Sequence, residues 1–397
     1  MMIRKPMIIS ATFALLSVMP VTTACAQELP TPKISWTAQQ APVPFELFRG
    51  NRVVVRGSIN GHAEEFILDT GASATTIDRS YAKSIGLPPG TKVEGRGAGG
   101  PIEAEIVPNV TLEIGGMRFE GLTVAVMDLQ PVAQAIGRPM PVIVGGELFN
   151  NAAVSIDWDA RTLTFAPSGE FVPTPDAREV KLTRKGPFHY VDVSVAGLSV
   201  TSALFDLGNG GTISLPSDYW TKQEALTKLP YADSQRGGVG GMRPARAVTL
   251  PTATFGGKTF RDVPAILGPD SENKEAAHDS NVGIGLLRQF KVTLDLGQSR
   301  LFLTPLASPP AFQRDRAGVM GHRTDGGLKA RFVSPQGPAY KAGLRTDDMI
   351  VSVNGARTDA AFFKSDQLNW AQGAPGTPVE LALADGRVLR FALVDYF

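Results

Sequence analysis

Cysteine is almost absent from this chain of 397 residues, which contains one, at position 25. That cysteine lies in an N-terminal segment that we expect to be removed, so the remaining chain would contain none. Disulfide bonds, thiolate metal sites and cysteine nucleophiles are therefore excluded from the mature protein. The four histidines, at positions 62, 189, 278 and 322, lack the spacing of metal ligands. We expect neither a metal nor an organic cofactor.

The chain also lacks an excess of charge, since 39 Lys and Arg stand against 38 Asp and Glu. Removal of residues 1–26, which hold two basic and no acidic residues, would leave a net charge of about −1. Nucleic acids and anionic membranes attract proteins with a basic excess, so neither is expected as the main partner. The composition, 43% hydrophobic and 19% charged, is typical of a globular protein. The 42 glycines and 30 prolines favour many short strands, and so a mainly β fold.

The N-terminal segment, positions 1–26, has the features of a secretory signal peptide. Arg4 and Lys5 precede an apolar stretch over residues 8–21 that is too short to span a bilayer, and Ala24-Cys25-Ala26 forms a cleavage site. We expect an exported protein, periplasmic or secreted, with no integral membrane span after cleavage. Lipidation of Cys25 is an alternative, although Thr22 stands where lipoprotein signals usually carry leucine.

Two parts of the chain share one pattern. In each, two strand-like segments flank a short turn, Asn60-Gly61 in the first part and Ala196-Gly197 in the second. The second segment of each pair is apolar and ends on Asp-x-Gly, at Asp69 and at Asp206. Each pattern predicts a β-hairpin that ends on an aspartate.

Further landmarks recur at nearly the same offset as the two aspartates. Gly145 and Gly283 begin similar stretches, and glycine-rich loops recur between the landmarks. A repeat of this length predicts two homologous β lobes. We place an N-terminal segment at residues 27–45, lobe 1 at 46–170 and lobe 2 at 178–306.

A third unit follows the repeat. Its linker, residues 307–322, contains proline, and the unit itself covers residues 323–397. A short helix is predicted over residues 338–342, and a longer amphipathic one over about 359–372. Two alternating strands joined by an Asp385-Gly386 turn end this small mixed domain.

The first repeat carries a recognisable motif, Asp69-Thr70-Gly71-Ala72-Ser73, after an apolar strand. An apolar-apolar-Gly element follows at residues 142–145, and residues 281–283 are similar to it. In this context the motif resembles that of retropepsin-like and pepsin-like aspartic proteases, and the resemblance extends over residues 46–306. It implies two β-barrel lobes related by a pseudo-two-fold axis and an aspartic endopeptidase whose catalytic residues are Asp69 and Asp206.

The chemistry of such a pair needs two neighbouring carboxyl groups. Two close carboxylates cannot both ionise cheaply, so they share one proton. The ionised member takes a proton from water, which attacks the scissile carbonyl, and the protonated member donates to the carbonyl oxygen. Gly71 and Gly208 would let the backbone approach the carboxylates, with Thr70, Ser73 and Asn209 supporting the two loops.

The second motif departs from this pattern, because it reads Asp206-Leu207-Gly208-Asn209-Gly210. Leu207 has no hydroxyl to cross-link the loops, so Thr70 would face an apolar neighbour at a cost of about 1–3 kcal/mol if unpaired. Ser73 would support the outer oxygen of Asp69, and Asn209 is the candidate donor to Asp206. The alternative is a non-catalytic peptide-binding envelope scaffold with a decayed second lobe.

Two glycine-rich loops, residues 95–100 and 236–243, correspond by this resemblance to mobile flaps over the substrate. The first matches a dinucleotide-binding fingerprint formally, but it opens no helix, so that function is excluded. Exposed flexible loops are the alternative. The residues expected at the flap tips are Gly97, Ala98 and Gly99 in lobe 1 and Gly238, Val239 and Gly240 in lobe 2.

The C-terminal unit carries a second resemblance. Residues 333–355 resemble the PDZ domains of bacterial envelope proteases, which bind a peptide as an added strand. The resemblance implies that Gly326, Gly327 and Leu328 form a carboxylate-binding loop and that residues 359–372 form the other wall of the groove. The expected partners are peptides or unfolded proteins. Recruitment, autoregulation and bracing of the lobes remain open, as does an envelope assembly factor that works through this domain.

Overall fold

The structure is a computed structural model that describes residues 31–37, 41–269 and 280–397. The predicted signal peptide and Cys25 lie outside the described residues. The described chain is mainly β, as predicted. Within the same residues, no helix combines the length and apolar character needed to cross a membrane.

The described part of lobe 1 is built of short helices and strands. The helices are α1 (Arg79–Ser84), α2 (Gln130–Ile136) and α3 (Gly146–Asn151). The strands are β1 (Lys33–Trp36), β2 (Val43–Phe48), β3 (Arg52–Ile59), β4 (His62–Leu68), β5 (Thr76–Asp78), β6 (Thr91–Gly97), β7 (Gly100–Ile114), β8 (Met117–Met127), β9 (Val142–Val144), β10 (Ala152–Asp157) and β11 (Thr162–Pro167).

Lobe 2 repeats this composition in its described residues. Its helices are α4 (Ser217–Trp220), α5 (Glu224–Thr227) and α6 (Ile284–Leu287), with a 3-10 turn at Leu296–Gln298. Its strands are β12 (Arg178–Lys181), β13 (Thr183–Lys185), β14 (Phe188–Val195), β15 (Leu198–Asp206), β16 (Ile213–Leu215), β17 (Tyr231–Gly238), β18 (Gly241–Phe255), β19 (Lys258–Leu267), β20 (Asn281–Gly283), β21 (Phe290–Asp295) and β22 (Arg300–Pro305).

The two lobes share one strand order. It is β2-β3-β4-β9-β5-β8-β7-β6 in lobe 1 and β13-β14-β15-β20-β16-β19-β18-β17 in lobe 2. Both predicted hairpins form, with turn residues Asn60, Gly61, Ala196 and Gly197 all at positive φ, between 49° and 81°. Such paired left-handed residues match the twist of two-residue hairpins. The topology therefore supports the repeat inferred from the landmarks.

A continuous sheet joins the lobes. Strand β10 pairs with β21 in antiparallel register, and the hydroxyl oxygens of Ser155 and Thr293 lie 2.8 Å apart across this junction. One apolar cluster extends through both lobes and includes the fully buried Phe149, Phe205 and Phe290. Burial of each such side chain stabilises the fold by about 1.5–3 kcal/mol, so the lobes are held together as one body.

The N-terminal segment contributes to this body. Strand β1 pairs with β8, and β2 pairs with both β3 and β11. Part of the region placed at residues 27–45 therefore belongs to the sheet of lobe 1, ahead of the predicted boundary at residue 46.

The elements of the C-terminal unit are β23 (Val319–Thr324), β24 (Gly327–Val333), α7 (Pro338–Lys341), β25 (Met349–Val353), β26 (Ala356–Arg357), β27 (Pro378–Leu383) and β28 (Val388–Ala392). Its strands form a separate six-stranded sheet in the order β23-β24-β25-β27-β28, with β26 paired to β25. The short helix and the final strand pair agree with the prediction, whereas the boundary set at residue 323 falls inside β23.

The predicted amphipathic helix over residues 359–372 is wrong. Two 3-10 segments, Phe362–Lys364 and Asp366–Gln372, occupy this region. They are separated by Ser365, whose backbone is extended with ψ of 164°. An extended residue breaks the run of backbone hydrogen bonds that an α-helix needs. The helix-like spacing of apolar residues in this region therefore does not produce an α-helix.

Candidate active site

Equivalent strands position the two aspartates. Strand β4 runs parallel to β9, and the backbone N–H of Asp69, just after β4, donates to Val144 O at 3.0 Å. Strand β15 runs parallel to β20 in the same way, and its last residue, Asp206, is paired with Gly283. Both side chains thus project from the carboxyl end of a central strand.

The predicted glycines allow the two loops to meet. A Cβ on Gly208 would overlap the carboxyl group of Asp69, and a Cβ on Gly71 would lie 2.8 Å from Cγ of Asp206. Each glycine therefore packs against the carboxyl group of the opposite lobe, at a distance that no other residue permits. The structure brings Asp69 and Asp206 together from distant parts of the sequence.

The surroundings of Asp69 favour its protonated form. Its Oδ1 accepts one hydrogen bond, from the backbone N–H of Gly71 at 2.8 Å. Burial, the negative charge of Asp206 and a hydrogen bond between the two carboxyl groups hold the pKa of Asp69 well above its usual range. The Gly71 bond and the positive charge of Arg52 oppose this shift without cancelling it.

The carboxyl group of Asp206 accepts more hydrogen bonds than that of Asp69. Its Oδ1 accepts from the backbone N–H groups of Gly208 at 2.8 Å and Asn209 at 3.0 Å. Its Oδ2 accepts from Nδ2 of Asn281 at 2.6 Å, and the side chain of Asn209 in turn donates to Oδ1 of Asn281 at 2.7 Å. Three N–H donors stabilise a carboxylate more than one does, so the pair is asymmetric, with its proton favoured on Asp69.

Thr70 is hydrogen-bonded despite its apolar neighbour. Its hydroxyl donates to Phe205 O at 2.9 Å and accepts from the backbone N–H of Leu207 at 2.9 Å. The cross-link between the loops thus uses the backbone of lobe 2 in place of a second hydroxyl. Leu207 thus does not leave Thr70 unpaired, because its backbone N–H supplies the partner that its side chain lacks.

Ser73 does not take its predicted place. Its side chain is exposed and makes no hydrogen bond to Asp69 within the described residues. The loop is instead tied down by Glu147, whose carboxylate accepts from the backbone N–H of Thr75 at 2.9 Å and from its hydroxyl at 3.2 Å. Burial raises the pKa of Glu147, and the bonds from Thr75 oppose that shift.

Sequence reasoning did not single out Glu147, Asn281 or Arg52 as site residues. The signal for Asn281 was present, because this polar residue occupies the position at which lobe 1 has Ile143 in the same buried strand pairing. Its side-chain amide provides the donor that the second motif lacks. Glu147 offered no comparable sign, since its partner Thr75 is 72 residues away.

The glycine-rich loops are the tips of two long hairpins, β6–β7 and β17–β18. The tips meet, since the backbone N–H of Gly99 donates to Val239 O at 2.8 Å. A Cβ on Gly97 would overlap that carbonyl oxygen, and one on Gly238 would lie 3.3 Å from Cβ of Ala98. Gly240 likewise approaches Gly100, with 2.6 Å between its Cβ position and Gly100 N. Small residues are required because the two backbones are in contact.

The assignment of Gly326, Gly327 and Leu328 to a carboxylate-binding loop is not supported. These residues form the tight turn from β23 to β24, where Gly327 pairs with Thr324 and Leu328 with Arg323 and Ile350. Gly327 adopts a φ of 127°, which glycine alone adopts readily. The glycine pair therefore closes a hairpin, and its backbone is used within the sheet.

Backbone N–H groups at the opposite end of β23 do hold a carboxylate, that of Asp315. The N–H groups of Ala317 and Gly318 donate to it, each at 3.0 Å, and the hydroxyl of Tyr396 donates at 2.8 Å. Burial raises the pKa of Asp315, and these donors oppose the shift. A carboxylate of the chain itself thus occupies this group of donors.

The C-terminal unit is packed against both lobes. Helix α2 of lobe 1 contacts the edge strand β23, and Phe363 and Leu368 share an apolar cluster with Leu129 and Ala133 of lobe 1. Gln336 bonds to the backbone N–H and the carboxylate of Asp233, on the β17–β18 hairpin, both at 3.1 Å. The unit is therefore in direct contact with one of the two glycine-tipped hairpins.

No group of three or more histidine, cysteine, aspartate or glutamate side chains in the described ranges is arranged to hold a metal ion.

Comparison with known proteins agrees with this architecture. Residues 55–147 match the family model described as aspartyl protease, and residues 332–384 match that of the PDZ domain. A search of curated proteins gives no match. The first match covers the Asp69 motif, most of its hairpin and α2, and the second covers most of the C-terminal sheet. The chain is therefore similar to an aspartyl protease domain in lobe 1 and to a PDZ domain in its C-terminal unit.

Proposed function

We propose that the protein is an aspartic endopeptidase that hydrolyses peptide bonds with a water molecule activated by Asp69 and Asp206. One observation carries the proposal: two carboxyl groups from different lobes lie in contact in unlike hydrogen-bonding environments. A decayed second lobe would not need to retain Asp206 or its three N–H donors.

The asymmetry assigns a role to each carboxyl group. Asp206 starts ionised and takes a proton from water, whose oxygen forms a bond to the scissile carbonyl carbon. Asp69 starts protonated and donates its proton to the carbonyl oxygen, giving a neutral tetrahedral diol. Asp206 then returns its proton to the amide nitrogen as the C–N bond breaks, and Asp69 recovers a proton from the diol. The cycle needs no covalent intermediate.

The two hairpins are proposed to act as flaps that close over an extended peptide. The contact between Gly99 and Val239 supports this role, because the tips must separate to admit a chain. Val239 also packs against the same apolar cluster as Ala72 of the Asp69 motif and Ile102 of the first hairpin. The flap tips and the Asp69 loop thus border one apolar surface.

We propose that the PDZ domain regulates or braces the flaps. Its contact from Gln336 to Asp233 reaches the second flap hairpin, while Asp315 occupies the N–H groups at the end of β23. In Gln336→Ala both bonds would be lost, at a cost to stability of about 1 kcal/mol. We expect kcat to change while the midpoint of thermal unfolding falls by only about 2–4 °C. Equal kcat in wild type and variant would contradict the coupling.

Proteolysis of an unfolded-protein mixture tests the main proposal. The chain without the predicted signal peptide would be incubated from acid to neutral pH beside Asp69→Asn and Asp206→Asn, and product ends identified by mass spectrometry. Both substitutions should reduce turnover by about 10²–10⁴-fold, the usual contribution of general acid–base groups. Folded proteins that bind peptides and cut none at any pH would favour the scaffold alternative.

A further inference from the structure

A positively charged side chain lies beside the two aspartates. Arg52, at the start of β3 in lobe 1, reaches the loop that follows Asp206 in lobe 2, because a Cβ on Gly210 would overlap its Nη1. The charges of Asp206 and Asp69 both act on Arg52. Gly210 therefore leaves the space that the guanidinium fills, and Arg52 crosses from one lobe to the active-site loop of the other.

Most hydrogen-bonding capacity of Arg52 remains available. A guanidinium has five N–H donors in a planar fork, and Arg52 uses Nη1 to donate to Asn51 O at 2.7 Å. No carboxylate of the described residues lies within ion-pair distance of it, although other arginines form such pairs, among them Arg138, Arg300 and Arg387. Part of the residue's surface is exposed, although burial is the largest cause that lowers the pKa of its guanidinium.

The charged groups around Arg52 are the aspartate pair, Arg49 and Asp315. Burial lowers the pKa of Arg52, and the carboxyl groups of Asp206 and Asp69 oppose that shift. These two carboxyl groups together carry one negative charge when they share a proton. Arg49, whose own pKa is lowered by burial and by the charge of Arg52, adds a second cation, and Asp315 acts on Arg49. With Asp315 ionised these charges balance, so a ligand would be held at Arg52 by the N–H donors that remain unused.

The position is not repeated in the other lobe. The residue equivalent to Arg52 at the start of β14 is Phe188, and the residue equivalent to Gly210 in the Asp69 loop is Ser73. The cleft thus carries a cation near one active-site loop and no counterpart at the matching position of the other. Recognition by Arg52 would act on one side of the scissile bond.

We propose that Arg52 binds a carboxylate of the substrate close to the scissile bond, so that the enzyme prefers acidic peptides; this rests on the proposed function. A guanidinium fork matches a carboxylate in a bidentate arrangement. The carboxylate belongs to an Asp or Glu side chain or to the peptide's C-terminus, and the chemistry at Arg52 is the same for both.

Cleavage products of wild type and Arg52→Gln test the preference. Wild type should cut most often where Asp or Glu occupies one fixed position near the cut, and Arg52→Gln should lose that selectivity by about 10- to 150-fold, the value of a charged hydrogen bond. Arg56→Gln removes an exposed cation from the same strand and should leave the selectivity unchanged. Equal acidic-to-amide cleavage ratios in wild type and Arg52→Gln would overturn the proposal.

Binding separates this proposal from the proposed function. Labelled peptides with Glu or Gln near the middle, each with a free or amidated C-terminus, would be titrated into Asp69→Asn protein and into the double variant that also carries Arg52→Gln. The protein that keeps Arg52 should favour the Glu peptides, or the free C-termini if that is the source. If the wild-type protein cleaves no peptide but shows this preference, the carboxylate site at Arg52 would be supported and the proposed endopeptidase function would be contradicted.

Equal binding of all four peptides to the protein that keeps Arg52 would overturn the site. Arg52→Lys keeps the charge and loses the planar fork, so it should weaken the preference for carboxylates. It would replace Arg52→Gln in both experiments if that variant unfolds, and an undiminished preference in a folded Arg52→Lys protein would contradict bidentate binding.

Discussion

The two lobes have the same strand order, but they support their aspartates with different numbers of hydrogen-bond donors. In lobe 1 Asp69 accepts one backbone N–H, and its neighbouring strand β9 is wholly apolar. In lobe 2 Asp206 accepts three N–H donors, one of them from Asn281 in the equivalent strand β20. The difference teaches that a duplicated backbone fixes where the carboxyl groups lie, while a few polar substitutions decide which of them is ionised.

A second contrast concerns the cross-link beneath the pair. Thr70 supplies the hydroxyl from lobe 1, and lobe 2 supplies the backbone groups of Phe205 and Leu207. One hydroxyl with both donor and acceptor capacity is enough for this geometry. The apolar Leu207 therefore does not by itself mark lobe 2 as inactive.

Disrupting the contact between the lobes should have the largest effect. In Gly208→Ala the new methyl group would overlap the carboxyl group of Asp69, so the two carboxyl groups must separate. We expect turnover to fall by about 10²–10⁴-fold, as for loss of general acid–base catalysis. Gly326→Ala, whose Cβ would lie 3.5 Å from its nearest neighbour, serves as the control. Wild-type turnover in Gly208→Ala would contradict the close approach.

Making lobe 2 resemble lobe 1 should have the next largest effect. Asn281→Leu removes the 2.6 Å donor to Asp206 and leaves Asn209 without its side-chain partner. Loss of a hydrogen bond to a charged group costs about 1.5–3 kcal/mol, so kcat/KM should fall by about 10- to 150-fold. The fall in kcat/KM at low pH should also begin at a higher pH, because the ionised carboxyl group of Asp206 loses a hydrogen-bond donor. Ile143→Leu is the matched control in lobe 1, and an unchanged pH profile in Asn281→Leu would argue against the role of Asn281.

Removing the cross-link should cost stability. Thr70→Val keeps the shape of a side chain that is 4% exposed and leaves the N–H of Leu207 without its partner. We expect the free energy of unfolding to fall by about 1–3 kcal/mol, measured by urea denaturation. Thr70→Ser retains the hydroxyl and should lose less. Equal stability of the valine and serine variants would show that the bond contributes little.

The raised pKa of Asp69 gives the smallest expected effect, a change in how stability depends on pH. Folding favours its protonated form, so the stability it contributes is complete below the unfolded pKa of about 3.9 and is lost as pH rises through the folded pKa. Asp69→Asn stays neutral and should gain stability relative to wild type as pH rises. Glu147 and Asp315 have pKa values shifted in the same direction but are present in both proteins. A constant difference between pH 4 and 8 would contradict this shift.

The sequence was informative where one residue type has one physical use. The Asp-x-Gly landmarks and the paired turns predicted the repeat, and the resemblance carried by the Asp69 motif implied the approach of Asp69 to Asp206. The sequence was misleading where one pattern suits two structures, because the paired glycines at 326 and 327 suit a tight hairpin as well as a ligand loop. It gave no indication where contacts are distant. The partner of Thr70 is a backbone group 135 residues away, which no local pattern indicates.

Direct titration of the two carboxyl groups tests the central claim, that the lobes form one coupled pair with its proton on Asp69. Aspartate labelled with ¹³C at its carboxyl carbon would be followed by NMR from pH 2 to 9, with signals assigned from Asp69→Asn and Asp206→Asn. We predict that Asp69 titrates well above the ordinary value of about 3.9 and moves to lower pH in Asp206→Asn, since the charge and hydrogen bond of Asp206 are lost. Titration of Asp69 at about 3.9 in both wild type and Asp206→Asn would contradict the account.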